Sequence, residues 1–228
     1  MKSASFVEDD LRLLDEYRRS FVPAFEVVFE MLEANFSLAP TGRPEKSRRS
    51  LTQKLQRESA RLSQVQDIAG CRVVVRGIVE QDGAVDELAN LFERVLVVDR
   101  RVRPSHGSRA VHVMVMVLGR TIEVQVRTEL QHLWAELSEK LSDRFGIELK
   151  YGGGAVGKRD FLLKYANLVA ELERQERQLL VLSAQLRGVR TGSADFIEGE
   201  RIQQRFANLR EAVKQLLRSA SEEWDNQS

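Results

Sequence analysis

The sequence has only one cysteine, Cys71, which excludes a disulfide within the chain and leaves stability to an apolar core. It has three histidines, none in a spaced pair with another ligand type, which argues against a zinc site. No apolar run approaches the roughly 20 residues that a membrane-spanning helix needs. No secretory signal pattern opens the chain. We therefore expect a soluble cytoplasmic protein without a membrane partner.

The chain also lacks a dominant charge, because 35 lysines and arginines balance 34 aspartates and glutamates. Its total charge selects no partner, although local basic patches can still be present. Hydrophobic residues make up 43% of the 228 residues, which is enough to bury a core. This length indicates one large domain, or one domain with helical additions.

Hydrophobic periodicity divides the chain into helix, sheet and helix. Apolar residues at helical spacing mark residues 6–36, where Pro23 kinks or divides the stretch, and residues 129–145. Prolines and a glycine predict a loop at 37–45. Alternating patterns predict strands at 71–79, 94–99, 110–118 and 121–128.

The remaining patterns complete the architecture. Gly119-Arg120 is a plausible tight hairpin turn between the last two strands. Residues 158–187 and 195–224 are predicted to form two long amphipathic helices. The fold class is therefore α+β, a mixed sheet with flanking helices and a C-terminal pair of long helices. The predicted regions are an N-terminal helical region (1–39), a core (40–150) and a C-terminal helical extension (151–228).

One predicted strand, "RTIEVQVRT" at residues 120–128, has an unusual polar face. Its apolar parity is ordinary for a half-buried strand, whereas its polar parity carries Glu123, Gln125 and Arg127. A solvated face does not need an acid, an amide and a base in one row. We interpret the row as the floor of a site. The alternative is a solvated sheet face with incidental ion pairs.

A second acid, Asp67, lies just before the first strand in "DIAGCR", where Gly70 is expected to allow a tight turn. If the two strand faces coincide, one surface holds Asp67, Glu123, Arg72 and Arg127. Two carboxylates can hold a magnesium ion and leave positions for substrate phosphates. Arginines neutralise phosphates and stack on bases. The pattern is consistent with a phosphorylated substrate and Mg²⁺.

Two further clusters of basic residues support a phosphorylated substrate. The first contains Lys46, Arg48, Arg49, Lys54 and Arg57. The second contains Arg94, Arg100, Arg101, Arg103 and Arg109. Either cluster could contact phosphates or only solvent.

Three segments, "DIAGCRVVV", "HGSRAVHVMV" and "IEVQVRTELQHLWAE", resemble in order and spacing the synthetase domain of the RelA/SpoT alarmone family. The resemblance covers about residues 40–150. It implies a nucleotidyltransferase-like core that transfers pyrophosphate from ATP to the ribose 3′-hydroxyl of GDP or GTP and releases AMP. The flanking helices resemble those of small, stand-alone members, which often assemble into homo-oligomers through such helices.

The resemblance also implies roles for individual residues. Asp67 and Glu123 are the expected catalytic acids and Mg²⁺ ligands, with Glu123 either a ligand or the base near the attacking hydroxyl. The expected ATP-binding residues are Arg43, Lys46, Ser50, Lys54 and Arg72. The expected acceptor-binding residues are Arg101, Arg103, Ser108, Arg109, His112, Gln125 and Arg127.

Departures from the family pattern concentrate in the acceptor half. Ser108 stands where family members usually carry a guanine-stacking tyrosine, and Glu139, Asp143 and Arg144 replace a histidine and a tyrosine-lysine pair. Three interpretations stay open. The chain could make alarmone weakly, could use another 3′-hydroxyl acceptor such as an adenine nucleotide or a tRNA end, or could bind nucleotide as a regulator without turnover.

Overall fold

The computed structural model describes residues 7–36, 39–58, 61–185 and 194–225. The helices are α1 Glu8–Arg19, α2 Val22–Asn35, α3 Arg48–Glu58, α4 Ile78–Leu91, α5 Glu129–Phe145, α6 Val156–Gln185 and α7 Ala194–Asp225. The strands are β1 Thr41–Arg43, β2 Gly70–Val75, β3 Val95–Asp99, β4 Val111–Val117 and β5 Arg120–Thr128. The predicted α+β class, with its C-terminal pair of long helices, is confirmed.

The chain forms two compact units. The first comprises residues 1–74, 84–98 and 111–126, and the second comprises 75–83, 99–110 and 127–228. Among the described residues, no helix is both long and apolar enough to cross a bilayer.

The first unit carries the sheet, whose strand order is β1-β2-β5-β4-β3. β1 pairs antiparallel with β2, and β4 pairs antiparallel with β5. The centre of the sheet therefore joins β2 to β5, two strands that are distant in sequence. Its apolar parity is buried, as Val73, Val113 and Val124 show with 0% exposure. Helix α2 packs against β4.

Three local features differ from the sequence prediction. The strand predicted at 71–79 ends at Val75, and Ile78 and Val79 already belong to α4. The segment 37–45 was predicted to be a loop, but Thr41–Arg43 forms the edge strand β1 (37–38 lie outside the described residues). A three-residue strand is defined by its pairing with β2, so its own sequence carries no periodic signal. The hairpin turn consists of Leu118 and Gly119, both with positive φ, instead of Gly119-Arg120. Two positive φ angles match the twist of a two-residue hairpin.

The second unit is built on α5, α6 and α7. Leu137, Leu141 and Leu217 are fully or almost fully buried in its apolar core. Trp134 packs in this core, as its helical spacing predicts, and its indole N–H donates to the carbonyl of Leu162 at 3.0 Å. Helix α5 begins at a capping box in which the Thr128 hydroxyl accepts from the backbone N–H of Gln131.

Candidate active site

The first acid, Asp67, is held between two lysines. Lys46 Nζ lies 2.5 Å from Asp67 Oδ2, and Lys54 Nζ lies 2.8 Å from Oδ1. Lys46 precedes α3 and Lys54 lies two turns into it, so one face of the helix start presents both ammonium groups to the loop before β2. The backbone N–H of Lys46 also donates to the carbonyl of Ile68 at 2.6 Å.

Asp67 is ionised despite its partial burial. Burial raises its pKa, but the charges and hydrogen bonds of Lys46 and Lys54 lower it more, to about 2. Burial lowers the pKa of Lys46, and the nearby Asp67 charge opposes that change. One carboxylate thus faces two ammonium groups at this site.

The second acid, Glu123, lies in the middle of β5 and is only 8% exposed. Its Oε1 is 2.6 Å from His112 Nδ1, and its Oε2 accepts from Gln125 Nε2 at 2.8 Å. Burial raises the pKa of Glu123, but the bonds from His112 and Gln125 outweigh it and the net change is a lowering. Because an ionised carboxylate can only accept, His112 Nδ1 carries the proton of this bond.

The low exposure of Glu123 and Arg127 on the polar face of β5 argues against a solvated sheet face, one of the two interpretations of this row. Glu123 and Arg127 are each 8% exposed, so this row is not an ordinary solvated face. Buried charged groups need partners, and for Glu123 the structure supplies His112 from the neighbouring strand. His112 lies directly opposite Gln125 in the β4–β5 register.

The two acids are brought together by a close approach of β2 to β5. The backbone N–H of Glu123 donates to the carbonyl of Ala69 at 3.2 Å. A Cβ added at Gly70 would lie 2.9 Å from the Glu123 carbonyl oxygen. Gly70 is therefore required for strand packing, not for the tight turn that we expected. The charge of Asp67 reaches Glu123 and acts to raise its pKa.

The predicted adenine-side arginines share one face of the sheet. Arg43 on β1 lies opposite Gly70, and Thr41 lies opposite Arg72 on β2, so Arg43 and Arg72 are diagonal neighbours. Arg72 Nε is buried and has no hydrogen-bond partner among the described residues. Ser50 contacts neither acid, because its N–H and hydroxyl both bond to the Ser47 hydroxyl at the start of α3.

Five of the predicted acceptor residues lie in the second unit. Arg101 contacts Asp82 at 2.5 Å and Asp99 at 2.7 Å, and Arg109 contacts the buried Glu173 at 2.9 Å. These groups line a cavity of about 390 Å³. Arg103 is exposed, Ser108 closes a tight turn with Ser105, and Arg127 is buried.

The sequence analysis missed several of these polar partners. Glu173 and Gln131 are each 3% exposed and Gln81 is 0% exposed, and together they form a hydrogen-bonded network in the second unit. Glu173 lies within 158–187, which was predicted only as an amphipathic helix without a functional residue. The His112–Glu123 contact was missed as well. Extending the hairpin pairing back from its turn would have placed His112 opposite Gln125 and diagonal to Glu123.

The acids fit a magnesium ion better than a metal that needs a complete protein cage. Among the described residues, no group of three or more histidine, cysteine, aspartate or glutamate side chains could hold a metal ion. Magnesium is usually bound through one or two carboxylates, with water and substrate phosphates completing the octahedron. Asp67 and Glu123 match that donor set.

Residues 42–143 match the profile of the RelA_SpoT family, described as a region found in RelA / SpoT proteins. The match to this family covers less than half of the chain. It contains every residue that we predicted for the site, and it confirms the resemblance inferred from the three motifs. It excludes α1, α2, α6 and α7, which flank it.

Uncharacterized proteins from Mycobacterium tuberculosis and Mycobacterium bovis are each 37% identical over 110 residues. The matched stretch covers 46% of this chain and 40% of each relative, so the chain corresponds to less than half of these proteins.

Solved structures share the fold of the chain. Small alarmone synthetase 1 from Bacillus subtilis has a TM-score of 0.53 and 20% identity, over 76% of this chain and 97% of that chain. A GTP pyrophosphokinase family protein from Streptococcus pneumoniae has a TM-score of 0.52 and 19% identity, over 76% of this chain and 94% of that chain. At this identity the similarity establishes the fold alone.

Proposed function

We propose that this chain transfers a pyrophosphoryl group from ATP to the 3′-hydroxyl of a guanosine nucleotide, with Mg²⁺ as cofactor. The acceptor oxygen attacks the β-phosphorus of ATP, the bond between that phosphorus and the α-β bridging oxygen breaks, and AMP leaves. The proposal rests chiefly on one observation: two ionised carboxylates, the half-buried Asp67 and the buried Glu123, lie close together beside two lysines. Phosphoryl-type transfer depends on positioning and charge neutralisation, which is what such a set supplies.

The two lysines can exchange partners when ATP binds. In the free protein Lys46 and Lys54 neutralise Asp67. The triphosphate of ATP carries more negative charge than Asp67 and can therefore attract both ammonium groups. When the lysines bind the phosphates, the oxygens of Asp67 are released. Asp67 and Glu123 would then hold a Mg²⁺ ion, which would supply positive charge to neutralise the charge that develops during transfer. Because ATP draws the lysines away from Asp67 and Mg²⁺ would bind the released carboxylate, binding of each ligand should favour binding of the other.

The face shared by Arg43 and Arg72 suits the adenine of ATP. A guanidinium stacks on an aromatic base through its planar face and keeps its N–H groups available in the plane. Arg72 already has one buried N–H group without a partner among the described residues. A nucleobase or phosphate at this face would supply an acceptor.

Glu123 is suited to hold charge near the attacking hydroxyl. The lowered pKa of Glu123 keeps it ionised, and His112 and Gln125 fix both of its oxygens. It would serve as a magnesium ligand or accept the hydroxyl proton. His112 contacts Glu123 through its protonated Nδ1, and its other ring nitrogen, Nε2, does not take part in this contact.

The first experiment is AMP release from labelled ATP with Mg²⁺, in parallel with GDP, GTP, no acceptor and deacylated tRNA. We expect release that depends on GDP or GTP and that falls at least roughly 100-fold in Glu123→Gln, as when one preorganised group is lost. Glu87→Gln changes an exposed glutamate on α4 and should leave the rate unchanged. AMP release only in the presence of tRNA would show that the acceptor is a tRNA 3′ end and not a guanosine nucleotide. Absence of release from folded protein that binds ATP would favour a nucleotide-binding regulator.

Ser108 provides a separate test of the guanosine acceptor. A serine cannot stack on guanine, and base stacking on an aromatic side chain contributes roughly 1–3 kcal/mol. Ser108→Tyr should therefore lower the KM for GDP by about one to two decades. The KM for ATP should not change, and Ser105→Tyr at the opposite end of the same tight turn is the matched control. An unchanged KM for GDP would argue for a different acceptor.

A further inference from the structure

We infer that Arg18, on the N-terminal helix outside the matched RelA/SpoT region, is a positioning residue that holds Lys46 in place for ATP. Its side chain is only 12% exposed. Arg18 Nε donates to the backbone carbonyl of Lys46 at 2.6 Å, and Arg18 Nη2 lies 3.3 Å from Glu45 Oε2. The contacts are therefore made to the chain segment that carries the lysine.

The Lys46 backbone is held from both sides. Its N–H donates to the carbonyl of Ile68, next to Asp67, and its carbonyl accepts from Arg18. Its ammonium group meets Asp67 at 2.5 Å. With both backbone groups engaged, the direction of the Lys46 side chain depends on these two bonds, and Arg18 supplies one of them.

Arg18 is itself oriented by Asp15, one turn earlier on α1. Arg18 Nη1 lies 2.6 Å from Asp15 Oδ1. Asp15 also binds Arg48 at the start of α3, and the Arg48 hydrogen bond is the largest cause that lowers the Asp15 pKa. Asp15 thus connects α1 to the helix that presents Lys54, and the pair Asp15–Arg18 links α1 to both lysines.

Packing of α1 does not require Arg18. Leu14 and Phe21 are each 4% exposed and supply the buried apolar contacts of this part of the chain. A guanidinium directed at a main-chain carbonyl fixes the position of that carbonyl, which an apolar residue cannot do. Arg12, on the same helix, is a matched control because its side chain is 74% exposed and lies 3.8 Å from Asp9, which is 90% exposed.

The inference rests on the proposed ATP site, so its test has one measurement that does not depend on ATP. Hydrogen exchange of the backbone amides at 45–48 should be faster in Arg18→Met than in the wild-type chain and unchanged in Arg12→Met. Unchanged exchange at 45–48 in Arg18→Met would overturn the inference whether or not the chain binds ATP. Arg18→Lys, which keeps the charge without the guanidinium geometry, should give an intermediate rate and guards against a variant that fails to fold.

The second measurement is calorimetric binding of the magnesium complex of α,β-methylene-ATP. Arg18→Met should weaken binding roughly tenfold to 100-fold, because small misplacements of a positioned group have effects of that size. It should raise the KM for ATP without changing the KM for the acceptor. The double variant Arg18→Met/Lys46→Met should bind no more weakly than Lys46→Met alone, since Arg18 acts through Lys46.

The outcomes separate the two proposals. Faster exchange at 45–48 together with unchanged analogue affinity would overturn the role of Arg18 in ATP binding. Additive losses in the double variant would do the same. Absence of analogue binding and of AMP release by the wild-type chain would instead overturn the proposed function, while the exchange measurement would still decide whether Arg18 positions Lys46.

Discussion

The two units arrange their basic residues in different ways. In the first unit, Lys46 and Lys54 converge on one acid, Asp67. In the second unit, the half-buried Arg101 and Arg109 contact three acids, Asp82, Asp99 and Glu173. Basic side chains therefore share one carboxylate in the first unit and contact several carboxylates in the second.

This comparison bears on the predicted acceptor site. Arg101 and Arg109 stay predicted acceptor residues, but an anionic substrate must compete with their protein partners. Lys46 and Lys54 instead share Asp67, a carboxylate that Mg²⁺ could itself bind. Charge balance in the folded state, more than the number of basic residues in a segment, indicates which cations are available to a ligand.

The largest expected effect concerns the two lysines that converge on Asp67. Lys54→Met should reduce AMP release by roughly 100- to 1,000-fold, the range observed when one preorganised electrostatic group is removed. Because Asp67 keeps Lys46, the thermal unfolding midpoint should change little. Lys164→Met, at an exposed position on α6, is the control for loss of a lysine. If Lys54→Met kept more than about a third of the wild-type rate of AMP release, the lysines beside Asp67 would not differ in function from the arginines of the second unit.

The next effect concerns the balanced pair Arg109–Glu173. Arg109→Met should lower the free energy of unfolding by about 3–5 kcal/mol, because it leaves an unpaired charge at Glu173 in a buried position. Urea unfolding measures this change. Arg109→Met/Glu173→Gln should recover most of the loss, since the amide removes the stranded charge. A double variant as unstable as Arg109→Met would show that the pair is not what the arginine stabilises.

The smallest expected effect is the pH dependence of the stability that the Asp67 ion pairs contribute. The Asp67 pKa is lowered from 3.8 to about 2 in the folded state, so its ion pairs stabilise the fold above about pH 4. This contribution, about 2 kcal/mol at neutral pH, is lost as the pH falls towards 2. Unfolding of Asp67→Asn and the wild-type chain should therefore differ most at pH 7 and converge as the pH falls below 4.

Glu171 is the matched control for this pH dependence. Hydrogen bonds from Arg174 and Gln175 lower the pKa of Glu171 to about 2, but this glutamate lies on the surface of α6. Solvent screens an exposed pair, so Glu171→Gln should change stability much less than Asp67→Asn at pH 7. Equal effects of the two substitutions would contradict the distinction between a half-buried and an exposed carboxylate.

Much of the fold was predictable because its signals are local. The alternation in 71–79, 110–118 and 121–128 predicted β2, β4 and β5, although β2 ends at Val75, four residues earlier than predicted. Helical spacing predicted α6 and α7 within two residues. β1 was not predictable, because its three residues lie between Pro40 and Pro44 and include Gly42. They acquire strand geometry only by pairing with β2.

The sequence by itself determined the periodicity of the strands and long helices and the family motifs that carry Asp67 and Glu123. Those properties depend on neighbours along the chain and on residue order. Only the tertiary structure decided that two lysines meet one acid, that His112 supports Glu123, and that Arg18 reaches the Lys46 carbonyl. Each of these contacts joins segments separated in sequence, and their geometry is set by strand register and helix packing, which no short sequence window contains.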